Sequence, residues 1–336
     1  MYFFFDESGD YAFGEGSFDC YVQAVLICPD SALAGMEDFA RDRCSEWGVE
    51  ELHATELDPA RRLTIAEFLG SSDCTFLVHV TDNVMITAAQ IAEFRLFQAA
   101  RLRANLDRYR RESRAVRGGP VAEIEEWYMR QLKRAGLASR ISDGEFIQGS
   151  FLVGLILAAF KKSLIVYMDD EWRESFHDFN FILDAKLPGK MAAGEKFLNE
   201  TLVPALGSMP NDSIITVDTW REEPVHPFVT KFSAKGGRVA GKEIEDGIDL
   251  KLVFEHGLQF ERSFDVPGLH LVDTVAYVVR SAVVAPSDRD ARAAYDLLRP
   301  KLRNEEGCCM TLQRLNVGEE DRTSIGRYRP LYRPDN

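Results

Sequence analysis

MYFFFDESGD, residues 1–10, is the stretch on which the reading of this chain turns. Tyr2 to Phe5 form a wholly apolar run that stops abruptly at Asp6, Glu7, Ser8, Gly9 and Asp10. An apolar run without alternation suits a strand covered on both faces, at the middle of a sheet with helices on either side. Carboxylates placed where such a strand runs out are costly to bury unless a cation neutralises them. In α/β proteins, ligand sites gather at the carboxyl ends of central strands. A polar turn, with Asp and Gly breaking the strand, explains the same letters. The rest of the chain has to discriminate.

Outward from this strand, residues 11–17 read as a hairpin loop and Phe18–Cys28 (FDCYVQAVLIC) as a second strand closed by Pro29. Ser31–Trp47 has helical spacing at Leu33, Met36, Phe39 and Ala40. A short polar segment, ELHATEL at 51–57, runs into a helix ending at Gly70, and Cys74–Val80 is a strand. Ile86 to about Arg114 reads as a long helix whose second half carries Arg101, Arg103, Arg108, Arg110, Arg111 and Arg114. Gly118-Gly119-Pro120 breaks it, and Val121–Ala135 reads as another helix. A solvated helical face gives such a basic pattern, and so does an arm that contacts phosphates.

Phe146–Phe160 reads as a buried helix too short to span a bilayer. Ser163–Met168 (SLIVYM) follows as a buried strand ending in Asp169, Asp170 and Glu171. Phe181–Leu206 reads as loop then helix, and Ser213–Val217 and Leu250–Phe254 as short strands, with a polar loop at Lys235–Arg238 between them. Leu269–Ala282 is an apolar helix whose one acid is Asp273, and Asp288–Leu302 is amphipathic. The expected fold is α/β, a mixed sheet flanked by helices. One domain over residues 1–336 is favoured, with a helical insertion at about 84–145 and a C-terminal helical extension at about 284–336.

The 336 residues suffice for a full core. A net charge of −14 disfavours indiscriminate binding to nucleic acid or anionic membrane but leaves room for a local basic groove. Six cysteines without CxxC spacing argue against zinc and for reduced thiols. Asp6 interrupts the N-terminal apolar run too early for a signal peptide, so a cytoplasmic location is expected. There is no GxGxxG, GxxxxGK[ST] or GxSxG motif for a dinucleotide, P-loop or serine-hydrolase site.

The acids make a pattern of their own. Asp6 and Asp170 (or Asp169) end two buried strands, and Asp273 interrupts an apolar helix. Asp273 would be paired with Arg or Lys, or bound to a metal. Carboxylates gathered from distant elements suit hard divalent cations such as Mg²⁺, which take oxygen ligands together with substrate phosphates. FDESGD, ELHATEL, IVYMDDE at 165–171 and GLHLVDTVAYVV at 268–279 stand in the order seen in the bacterial domain-of-unknown-function family numbered 3800. The chain resembles that family from Phe5 to about Ala282.

The resemblance implies an RNase H-like fold. It makes Asp6 the first-strand aspartate, Asp170 (with Asp169 as rival) the central-strand acid and Asp273 the acid of the C-terminal helix. Glu56 is the fourth, with His53 nearby. Two departures stand: His270 replaces the family's usual Gln, and Glu56 precedes the third strand, whereas the RNase H helix glutamate follows it. Asp6 and Glu7 point to opposite sides of an extended strand, which makes Asp6 the better metal ligand and leaves Glu7 to the loop or a second cation. His53 is a candidate for acid–base work.

The expected activity is phosphodiester hydrolysis dependent on Mg²⁺ or Mn²⁺. The catalytic set would be Asp6, Glu7, His53, Glu56, Asp170 and Asp273, and the metal set Asp6, Glu56, Asp169, Asp170 and Asp273. The basic helix with Lys161 and Lys162 would guide DNA or RNA. A non-catalytic module that binds nucleic acid or a partner protein in a defence or mobile-element system is the alternative. A phosphoryl-transfer enzyme acting on a nucleotide is a third class. No membrane partner is expected, and a homo-oligomer is compatible with the sequence.

Overall fold

Phe3, Phe4 and Phe5 are each at most 2% exposed, although they are consecutive. Alternation sends Phe4 to one face of a sheet and Phe3 and Phe5 to the other, and both faces are covered. The structure, a computed structural model, describes residues 1–10, 20–82, 86–98, 141–167, 170–187, 189–206, 214–215, 229–233, 244–249, 253–254, 258–304, 307–308 and 310–313, with isolated residues 100, 104 and 107.

In chain order the elements are β1 (Tyr2–Ser8), β2 (Cys20–Cys28), α1 (Asp30–Trp47), α2 (Pro59–Ser71), β3 (Thr75–Asp82), α3 (Asp143–Val166), β4 (Asn180–Asp184), α4 (Ala193–Leu206), β5 (Ile214–Ile215), β6 (Val229–Ser233), β7 (Ile244–Asp249), β8 (Gln259–Glu261), α5 (Pro267–Val284), α6 (Arg289–Leu302), β9 (Arg303–Asn304), β10 (Gly307–Cys308) and β11 (Met310–Gln313). Residues 88–98 are also helical.

The main sheet has six strands in the order β11-β3-β2-β1-β4-β8. β1, β2 and β3 form an antiparallel meander, β4 joins β1 in parallel, and β8 joins β4 in parallel. This is an α/β fold with a mixed sheet between helices. One core lies between the sheet and α1, α2, α5 and α6, and a second between the sheet and α3. In the second, the Phe3 and Phe181 rings stack at 4.6 Å. α5 crosses β1 so closely that a Cβ on Gly268 would stand 2.6 Å from three ring carbons of Phe4. Gly9 ends β1 at φ +98°, a left-handed conformation that favours glycine.

Several sequence expectations need correction. The strand expected at Ser163–Met168 is helix as far as Val166: α3 runs for 24 residues from a capping box at Ser142 and Glu145. α3 is long and apolar enough to cross a membrane, yet it packs against the sheet. The strand beside β1 is instead Asn180–Asp184, inside the stretch read as loop. Ile244–Asp249 is a strand, and of the strand expected at Leu250–Phe254 only Val253 and Phe254 are described, neither of them in a strand. Beyond Leu302 the chain is not wholly helical, because β11 pairs with β3 at the sheet edge. Arg101–Arg114, as a basic arm, and Val121–Ala135 lie outside the described residues, apart from the isolated positions above, as do residues 11–19 and 235–238.

Candidate acidic site at the end of the first strand

β1 and β4 run side by side with Phe5 opposite Leu183, so the ladder delivers Asp6 and Asp184 to the same edge. Phe4 and Ile182 both belong to the core under α5, and alternation therefore turns Asp6 and Asp184 toward that helix. Asp273, on α5, acts on the first of them: its charge bears directly on the Asp6 carboxyl. Burial, then the charges of Asp273 and Glu7, holds Asp6 well above the usual carboxylate range, against the opposing pull of Lys186 and the Glu7 N–H. That N–H donates to Asp6 Oδ1 at 2.7 Å. Asp184 is also raised, by burial first and then by Glu7 and Glu51, while Lys186 pulls it down. Its Oδ1 accepts from the Ser263 N–H at 3.3 Å.

Glu7 points to the other face, as strand alternation requires. Its Oε1 accepts from Gln148 Nε2 of α3 at 2.8 Å and is ion-paired with Lys186, whose Nζ also lies 3.8 Å from Asp184 Oδ2. Burial pulls the Lys186 ammonium down, but Glu7, Asp6 and Asp184 outweigh it and hold it above its ordinary value. A cavity of about 90 Å³ opens here, lined by Asp6, Glu7, Gln148, Asp184, Lys186 and Glu195 among others. At about 10–15 Å³ for each water centre it has room for several waters.

On the far side of Asp273 lies the 51–57 segment. Asp273 Oδ2 accepts from the Ala54 N–H at 2.8 Å and sits 2.9 Å from His53 Nδ1. The bond to Asp273 raises His53 to about 9, against the effect of its burial. Arg62 fastens the segment to α5, donating to the Ala54 carbonyl at 3.1 Å while its guanidinium lies 4.8 Å from the Tyr277 ring centroid. The sequence expected Arg or Lys as the ion-pair partner of Asp273; the structure supplies a histidine. Glu56 is exposed in the same turn, where its N–H donates to the His53 carbonyl at 2.9 Å. Its charge acts on His53. Buried His270 stands one helical turn before Asp273, with burial lowering its imidazole.

Asp6, Glu7, His53 and Asp273 are thus gathered around one strand end, with Glu56 behind His53. Asp169 lies outside the described residues. Asp170 belongs elsewhere: it opens a 3₁₀ helix, Asp170–His177, that leads into the start of β4. That start pairs with Tyr2, and Met1 N donates to the Ser175 carbonyl at 2.9 Å, so this helix packs at the beginning of β1. Asp6 is four residues further on, roughly 13 Å at about 3.3 Å per residue. Asp170 is therefore replaced by Asp184 as the acid beside Asp6. Asp184 and Lys186 were missed, although NFILD repeats the signal of YFFFD, an apolar run ending in an acid.

Among the described residues, no three His, Cys, Asp or Glu side chains stand close enough together to hold a metal ion. No family model, curated protein or solved structure matches the chain.

Proposed function

We propose that the chain is a nuclease of RNase H-like type, hydrolysing phosphodiester bonds with Mg²⁺ or Mn²⁺, which would have to draw Asp184 in toward the facing pair Asp6 and Asp273. The carrying observation is the parallel β1–β4 ladder, which brings Asp6 and Asp184 to one sheet edge beneath α5, where the charge of Asp273 acts on Asp6. Lys186 and His53 offset only part of the negative charge of Asp6, Glu7, Asp184 and Asp273, and a divalent cation would supply more. The donor set is all carboxylate oxygen, which suits hard ions. Acids from a first strand, its parallel neighbour and a C-terminal helix are also what the family resemblance implies, with Asp184 in the place first given to Asp170.

A bound divalent ion supplies charge stabilisation at the phosphate and a more acidic water. The protein's own residues do the rest. Ala54 N–H and His53 both engage Asp273 Oδ2 and leave Oδ1 to a ligand. The Lys186 ammonium, 42% exposed, balances Glu7 and Asp184 and stands within reach of a phosphate oxygen entering the cleft.

Asp6→Asn tests the reading. In EDTA the variant should melt at or above the parent, because a charge that opposes folding is gone. Mn²⁺ should raise the melting temperature of the parent alone, as a ligand of the folded state does, and should support DNA or RNA cleavage by the parent alone. A parent without a Mn²⁺ response sinks the proposal. The second reading, a non-catalytic module for nucleic acid or a partner protein, draws on the neutralisation that Lys186 and His53 already provide. It expects nucleic-acid or protein binding unaffected by EDTA.

A further inference from the structure

β2 ends at Cys28, and Cys74 immediately precedes β3. The antiparallel ladder between them runs through Leu26↔Phe76 and Ile27↔Thr75, and its next rung sets Cys28 opposite Cys74. The Cys28 thiol donates to the Pro29 carbonyl at 3.4 Å, and each thiol acts on the titration of the other. Both are free and at most 1% exposed. Opposed residues on antiparallel strands have Cα atoms about 4.5 or 5.5 Å apart, according to the rung. A disulfide requires roughly 4.4–6.8 Å. Either rung falls inside that window, and closing the bond asks the Cβ atoms, about 4.5–5.5 Å apart in such a pair, to approach by up to about 1 Å.

We propose that Cys28 and Cys74 form a redox modification site, a dithiol that a hydroperoxide closes to a cross-strand disulfide. Cys74 is the sulfur that reacts first. The Lys301 ammonium donates to the Cys74 carbonyl at 3.2 Å and so sets a cation beside this sulfur, whereas the Cys28 thiol is fully buried and donates to the Pro29 carbonyl. Access comes from the loop side, where the adjoining Asp73 is exposed. The Cys74 thiolate attacks one oxygen of hydrogen peroxide, the O–O bond breaks, and the departing hydroxide takes a proton to become water. Cys74 is then a sulfenic acid. The Cys28 sulfur displaces its oxygen, forming S–S and breaking S–O, and a second water leaves with the Cys28 proton. Two thiols have been oxidised and one peroxide reduced.

The bond encloses residues 28–74, which include α1, α2 and the 51–57 segment whose His53 and Ala54 hold Asp273. Oxidation therefore staples the support of that carboxylate. The chemistry of the pair is independent of any cation at Asp6.

The test treats the full chain with hydrogen peroxide, denatures it in N-ethylmaleimide and maps the unreduced digest by mass spectrometry. A peptide linking Cys28 to Cys74 is expected, with two of the six cysteines lost to alkylation and both recovered by dithiothreitol. Alkylation of both residues after peroxide, or linkage of either to another cysteine, would overturn the proposal. Cys28→Ser should leave a sulfenic acid on Cys74 that dimedone traps. Should that variant not fold, the map of the parent decides. Amide exchange over residues 51–57 should slow on oxidation, and an unchanged rate in the linked protein would overturn the stapling role.

Discussion

Replacing His53 with Ala probes the site's electrostatics without touching its acids. The bond to Asp273 lifts the imidazole from 6.5 to about 9. Fully converted, that rise corresponds to about 3 kcal/mol at roughly 1.4 kcal/mol per pH unit. The His53 side chain is 53% exposed, however, while Asp273 is 13% exposed. Solvent screening of such a half-open pair reduces the figure to about 1 kcal/mol. The sign is fixed by linkage: the unfolded imidazole gives up its proton near 6.5, and the folded one keeps it to about 9. Stabilisation is complete below 6.5, declines between 6.5 and about 9, and is gone above. His53→Ala should thus lose about 1 kcal/mol near pH 6 and almost nothing near pH 10. Urea unfolding of parent and variant in EDTA, at several pH values and two salt concentrations, measures the gap. Added salt should narrow it at low pH. A gap that is constant with pH, or widens as pH rises, would refute the ion pair.

Asp184→Asn should abolish the Mn²⁺ response and cleavage, and Asp170→Asn should preserve both; the reverse result would restore Asp170 to the site. Lys186→Met should destabilise the metal-free protein at neutral pH, and the loss should shrink as acidification protonates the raised Asp6 and Asp184; a pH-independent loss would mean that Lys186 only packs. Gly268→Ala should cost about 1–3 kcal/mol by overpacking against Phe4, in denaturant unfolding, and Phe4→Leu should recover part of it.

The helices that the sequence announces clearly are the ones with punctuation. Pro29 precedes α1 and Pro267 opens α5, and each helix presents a spaced apolar face. The central strand was legible because Phe3, Phe4 and Phe5 leave no polar side for solvent. α3 was misread for the opposite reason: apolar residues surround it, so no period distinguishes its last turns from a strand. Leu164-Ile165-Val166 has the β-branched content of a strand, but a chain already helical and buried continues as helix when nothing stops it. The capping box at Ser142 and Glu145 marked where the element begins. No glycine or proline lies between Leu155 and Tyr167 to mark an earlier end.

The misplaced acid follows from the same turn of helix. Asp169-Asp170-Glu171 is the louder cluster, and Asp184 is a single acid after the short run Phe181-Ile182-Leu183. Counting carboxylates therefore favours the wrong one. Direction along the strand decides the matter: a ligand site at the carboxyl edge of parallel strands draws on residues where the chain leaves the sheet, not where it enters. The segment at Asp170 enters β4 beside Tyr2, and Asp184 leaves β4 beside Asp6. Once β4 is known to run parallel to β1, only the second acid stands at the same edge as Asp6. That pairing joins segments far apart in the chain, and no local pattern of letters encodes it.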